Sequence, residues 1–187
     1  MSTAESSATQ ISLPAGTWNV DPVHSSVEFQ VKHLGIATVK GHFKEFEGTL
    51  EVGPDGARAH GKVNVASVDT REPQRDQHLR SADFFDVENN PEITFQSTSF
   101  RQLDEDTYEV EGDFTIHGVT QTLKLNVSLE GTETDPQGNE RVGLSATAQI
   151  SRSDYGMKFN MALGSGNVVV SDKVKILLDV SAVKAAA

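Results

Sequence analysis

From residue 17 onward, apolar and polar positions alternate in one run after another. In SSVEFQVKH, Val27, Phe29 and Val31 share one face while Glu28, Gln30 and Lys32 share the other. A period of two marks a strand with one dry side and one wet side. ARAHGKVNV repeats it with Ala57, Ala59, Gly61, Val63 and Val65, and YEVEGDFTI with Tyr108, Val110, Gly112, Phe114 and Ile116. LKLNVSL, VGLSATAQI and VKILLDV follow the same rule. Phe43, Phe46, Leu50 and Val52 mark a further ribbon whose parity slips between Phe43 and Phe46, which predicts a kink there. Ile93 and Phe95 mark another.

Turn chemistry separates the runs: GPDG at 53–56, NNP at 89–91, HG at 117–118 and DPQGN at 135–139. The short IHGV joint predicts a tight hairpin. Only REPQRDQHL reads as helix, about two turns long, with Pro73 in its first turn where a missing N–H costs little. Phe84 and Phe85 cannot both face one side of a strand, so a helical turn after Ser81 is expected to wedge one into the core. Such a set of strands forms an antiparallel sandwich or a closed barrel. Closure removes the edge strands, and about eight strands enclose room for side chains or one small ligand, so the barrel is the favoured reading. Its interior is expected to collect Phe29, Val31, Val63, Phe95, Phe114, Leu125 and Leu144. The chain reads as one domain over residues 14–184 after a flexible tail at 1–13.

Composition narrows the chemistry. Sixteen Lys and Arg against 27 Asp and Glu give a net charge of −11, which disfavours phosphodiester backbones and anionic membranes as partners. With no cysteine, disulfides, thiolate metal sites and cysteine nucleophiles are excluded. The start MSTAESSATQISLPAG has no basic opening and no continuous apolar run, so a cytoplasmic location is expected, with no integral membrane association. The six His form no H-x-H or H-x-x-x-H pair, and no metal or other cofactor is expected. ALGSG at 162–166 lacks the first glycine of a nucleophile elbow, and 164–166 reads as a flexible turn.

The most distinctive stretch is RDQHLRSADFFDV. Its arginines are expected to pair with neighbouring carboxylates around a short helix; the sharper alternative turns one of them toward an anionic ligand head. Together with GTWNVDPVHSSVEFQVKHLGIATVKGHFKEFEG, GDFTIHGVTQTLKLNVSLEG and SRSDYGM, it resembles the YceI-like family of lipid-binding proteins, over about Gly16 to Val183. The resemblance implies an all-β, extended, antiparallel lipocalin-like β-barrel with one short helix, whose apolar cavity takes a polyisoprenoid chain such as an isoprenoid pyrophosphate or quinone. Many members of that family carry a secretory signal and work in the periplasm.

On this reading the chain is a non-enzymatic binder for transport, storage or sequestration of a hydrophobic isoprenoid-type small molecule, with a homodimer left open. The strands are expected to offer Phe29, Val31, Phe43, Phe46, Phe95 and Phe114 to the cavity. The helix and loops would add Leu79, Phe84, Met157 and Phe159. His24, Arg80, His117, Arg152 and Asp154 are the candidates for a ligand head. The same buried polar groups would serve the rival reading, an enzyme or accessory factor of isoprenoid or quinone metabolism. A third reading is a stress-related binder of small hydrophobic compounds.

Overall fold

The structure is a computed structural model that describes residues 11–161, 163–165 and 168–186. Among the described residues there are eleven strands: β1 (Gly16–Val20), β2 (Ser26–His33), β3 (Ala37–Phe43), β4 (Phe46–Gly53), β5 (Gly56–Asn64), β6 (Val68–Asp69), β7 (Glu92–Gln102), β8 (Thr107–Ile116), β9 (Val119–Thr134), β10 (Glu140–Ser151) and β11 (Val170–Lys184). One helix, α1 (Pro73–Arg80), lies between β6 and β7. Every pairing is antiparallel, and the order β1-β4-β5-β7-β8-β9-β10-β11 closes when β11 returns to β1, with Trp18 opposite Lys184 and Val20 opposite Ala182. The expected closed eight-stranded barrel is therefore the fold.

Three of the strands prolong others. β11 pairs with β1 at its C-terminal end and with β2 over its N-terminal half. β3 breaks from β4 at Lys44–Glu45 and continues the wall by pairing with β2 and β6. That break falls where the apolar parity slips, because Phe43 and Phe46 can both face inward only if the strand turns between them. The register brings inward positions together: Val27, Phe29 and Val31 lie opposite Leu178, Ile176 and Val174. At the β8–β9 turn His117 and Gly118 both take positive φ, 56° and 72°, the backbone that a two-residue hairpin requires.

The two ends of the barrel differ. One carries α1, the β2–β3 and β8–β9 turns and a 3₁₀ turn over Arg152–Tyr155; it is called the helix end below. The opposite end carries the β4–β5, β7–β8 and β9–β10 turns and the start of the described chain. There Leu13 is 5 % exposed in the core cluster, and Ile11 packs against it. Ser12 Oγ lies 2.7 Å from Tyr108 Oη and accepts from Gln102 Nε2 at 2.7 Å. The polar tail expected over 1–13 thus gives way to packed chain by Ile11; residues 1–10 lie outside the described residues. So does Gly166 of the turn expected at 164–166.

The segment after β6 departs from expectation in its charges. Arg75 donates to Thr70 Oγ1 and Thr70 O at 2.7 and 2.6 Å, and Arg80 to the carbonyls of Ala66 and Val68 at 2.9 and 3.2 Å. Neither pairs with a carboxylate among the described residues. Buried Asp76 instead accepts from Thr70 N and Oγ1 at 2.8 and 2.5 Å, and Glu72 caps the helix by accepting from Gln74 N. Guanidinium donors satisfy orphaned loop carbonyls here, where the backbone leaves the sheet ladder. A turn follows, with Phe84 N donating to Ser81 O and Phe85 N to Leu79 O. It turns both phenylalanines inward: Phe84 is 8 % exposed, and Phe85 packs on Phe43 with ring centroids 5.9 Å apart.

Candidate functional site

The barrel encloses a cavity of about 320 Å³, within the ~300–1,000 Å³ usual for small-molecule sites. Its wall is built from the inward positions of all the long strands. The seven residues expected inside, from Phe29 to Leu144, all line it. Small side chains keep it open. Ala59 and Gly61 line it from successive inward positions of β5, and Ala146 does so from β10.

Glycines flatten the phenylalanines against the wall. Gly41 lies opposite Phe29 on β3, and a Cβ there would run into the Phe29 ring. Phe95 sits opposite Gly61 and comes close enough to Gly112 that a Cβ at 112 would lie 2.5 Å from the ring. With glycine at these positions the rings lie over bare backbone rather than across the lumen. A glycine on the inward parity of a strand is the sequence sign of such close approach.

Of the ten residues expected in the cavity, Phe29, Val31, Phe43, Phe46, Phe95 and Phe114 line it from the strands, and Leu79, Phe84 and Met157 from the helix end. Phe159 does not line it. Its ring packs edge-on to His78 and Phe84, with centroids at 5.0 and 5.2 Å, behind the lining. Trp18 and Leu13 close the opposite end. Ile11 and Leu13 alternate with Gln10 and Ser12, but the run is too short to be told from a polar tail by pattern alone. Trp18 sits 2 % exposed, its Nε1 donating to Pro14 O at 3.0 Å.

Among the five polar candidates only Arg152 reaches the cavity. It is 4 % exposed and donates Nε to Ser171 O, Nη1 to Met157 O and Nη2 to Val170 O at 2.9, 2.9 and 3.1 Å. Its guanidinium carbon stands 5.9 Å from the Phe84 ring centroid. Burial pushes the guanidinium below its ordinary pKa, with Asp172 opposing the shift; an arginine still keeps its charge. Three of its five N–H groups are used on carbonyls, and among the described residues no carboxylate pairs with it. Tyr155 beside it is pushed upward by burial, then by Asp154.

The other four candidates are turned elsewhere. His24 is exposed and donates Nδ1 to Asp21 at 2.8 Å. That contact and Arg141 hold the Asp21 carboxyl down at about 2. His117 donates Nδ1 to Tyr155 O at 2.9 Å. Arg80 is held by Ala66 and Val68. Asp154 is exposed, and its carbonyl accepts from Gln121. Glu28, Glu47, His60 and Lys62 border the cavity from exposed positions that alternate with the inward ones. Among the described residues no group of three His, Cys, Asp or Glu could hold a metal ion. No helix there is long and apolar enough to cross a membrane.

A closed antiparallel barrel with an apolar lumen is shared by unrelated families, so sequence must decide among them. The YceI-like domain matches residues 18–182, almost the whole barrel. The chain belongs to the YceI-like family. Among relatives of this YceI-like chain, the UPF0312 protein ECA1782 of Pectobacterium atrosepticum is 38% identical over 148 residues, which are 78% of this chain and 77% of the relative. Two solved structures share the YceI-like barrel. BcnA of Burkholderia cenocepacia superposes with a TM-score of 0.73 at 22% identity, covering 87% of this chain and 98% of its own. A polyisoprenoid binding domain from Saccharophagus degradans does so with 0.68 at 17% identity, covering 92% and 100%.

Proposed function

We propose that this YceI-like chain binds an isoprenoid-type lipid, a polyisoprenoid pyrophosphate or an isoprenoid quinone, in the barrel cavity and holds it for transport, storage or sequestration without altering it. The observation that carries the reading is the cavity wall itself: apolar side chains from the strands, rings flattened onto glycines, and one buried cation at the helix end. A buried methylene contributes ~0.8 kcal/mol, so about ten give roughly 8 kcal/mol gross before ordering and association costs. A long apolar tail therefore needs little polar anchoring. The S. degradans domain, described as polyisoprenoid-binding, has the same fold and supports the choice of ligand class.

The chain has a single tryptophan, and it lines the cavity, so Trp18 emission reports on occupancy. Titrating delipidated protein with a long-chain isoprenoid quinone is expected to quench Trp18 saturably, with a micromolar midpoint. A short quinone ring without the tail is expected to quench only in proportion to its concentration. Equal behaviour of the two compounds would count against a tail-binding cavity.

A further inference from the structure

Five large apolar side chains are exposed among the described residues: Val23, Ile36, Leu103, Met161 and Val168. Three of them gather at the helix end. Ile36 is 80 % exposed at the tip of the β2–β3 hairpin, and Met161 and Val168 are 60 % and 40 % exposed in the segment before β11. Backbone bonds make these one surface, since Leu34 N donates to Val169 O at 2.9 Å and Val169 N to Met161 O at 3.0 Å. The hairpin tip stands roughly 10 Å beyond Val31, which lines the cavity.

The charge around this surface departs from that of the chain. Phe29–Lys44 and Tyr155–Ser171 together hold four lysines and no Asp or Glu, in a chain with 27 acidic residues. Lys32, Lys40 and Lys158 are exposed, and none is ion-paired among the described residues. Lys32 and Lys40 lie on the outer parity of the hairpin, Lys32 reaching Thr38 Oγ1. Asp154 and Asp172 flank the second of these stretches, and further acids lie on α1 and the loop after it, where Asp83 is held by His78 at 2.8 Å. The two remaining exposed residues lack this setting: Leu103 precedes Asp104, Glu105 and Asp106, and Val23 neighbours Asp21.

We propose that the β2–β3 tip, together with Met161 and Val168, docks this protein on an anionic lipid bilayer. Ile36, Met161 and Val168 would enter the interfacial region while the three lysines sit over the head groups. The net charge of −11 argues against membranes only for the molecule as a whole. Beyond roughly 8–10 Å its repulsion is screened at physiological salt, and close to the surface it orients the acidic remainder away. Docking places the end that holds Arg152 against the bilayer, so an apolar chain could pass between membrane and cavity with little exposure to water. The docking step does not depend on what the cavity holds.

The test is co-sedimentation with phosphatidylcholine vesicles and with vesicles that also contain phosphatidylglycerol, at low and physiological salt. Wild type is expected to bind the anionic vesicles at least tenfold more strongly, the difference shrinking as salt rises. Each lysine contributes about fivefold, so K32E/K40E is expected to lose more than tenfold, as is I36D/M161D. L103D, an equally exposed site elsewhere, is expected to bind as wild type. All four proteins should melt together, because the altered side chains are exposed. Equal binding to the two vesicle types, or I36D/M161D binding as well as L103D, would overturn the proposal.

Discussion

Phe114→Asp is expected to leave a folded barrel that no longer retains a hydrophobic ligand. Phe114 is 8 % exposed, lines the cavity and meets the Tyr155 ring edge-on at 5.6 Å. In a solid core an unpaired carboxylate at this depth costs many kcal/mol, and the fold would be lost. A cavity of about 320 Å³ emptied of lipid can instead admit water, so the carboxylate stays solvated. The cost then approaches that of a Phe→Ala change, about 3–5 kcal/mol. Binding suffers as well, because every methylene beside the carboxylate would strip its hydration; the loss should exceed about 3 kcal/mol, or a hundredfold. Far-UV circular dichroism, melting temperature and retained lipid, each beside wild type, separate the outcomes. Unfolding of the mutant, together with a wild type that holds no lipid, would return Phe114 to the role of core filler.

The second large effect is expected at Arg152. Arg152→Leu fills similar volume but abandons the carbonyls of Met157, Val170 and Ser171, which tie the segment before β11 to the end of β10. Val170 O keeps Asn160 Nδ2 at 2.7 Å, but the other two carbonyls lose this donor, at a cost of about 2–4 kcal/mol. For a chain of this length that lowers the melting temperature by roughly 10 °C. Arg152→Lys can reach only part of the fork and is expected to fall between. A thermal melt checks both; Arg152→Leu melting with wild type would show that these carbonyls find water without difficulty.

The strands were legible because each has one dry and one wet face, and a period of two survives any arrangement of the sheet. The break at Lys44–Glu45 was legible for the same reason, as a slip of parity. Closure did not follow from the pattern, since it depends on β1 meeting β11 from opposite ends of the chain; it was favoured because it removes edge strands and because the family resemblance implied it. The cavity-facing phenylalanines followed from parity, whereas Phe159, outside any strand, had no parity to place it. The partners of Arg75 and Arg80 escaped because they are backbone carbonyls, which carry no residue identity. Nearby carboxylates looked like partners only because they are visible as letters. Arg152 and Asp154 stand two residues apart in SRSDYGM, yet one is buried and the other exposed. The 3₁₀ turn separates them, and nothing in the residue types says which faces in.

The central claim is that the barrel holds a lipid, and native mass spectrometry of the protein purified without detergent tests it most directly. The predicted result is a species heavier than the 187-residue chain by the mass of one isoprenoid-type lipid, which organic extraction removes and identifies. A bare chain mass, with no uptake of isoprenoid quinone or isoprenoid pyrophosphate when these are supplied, would contradict it.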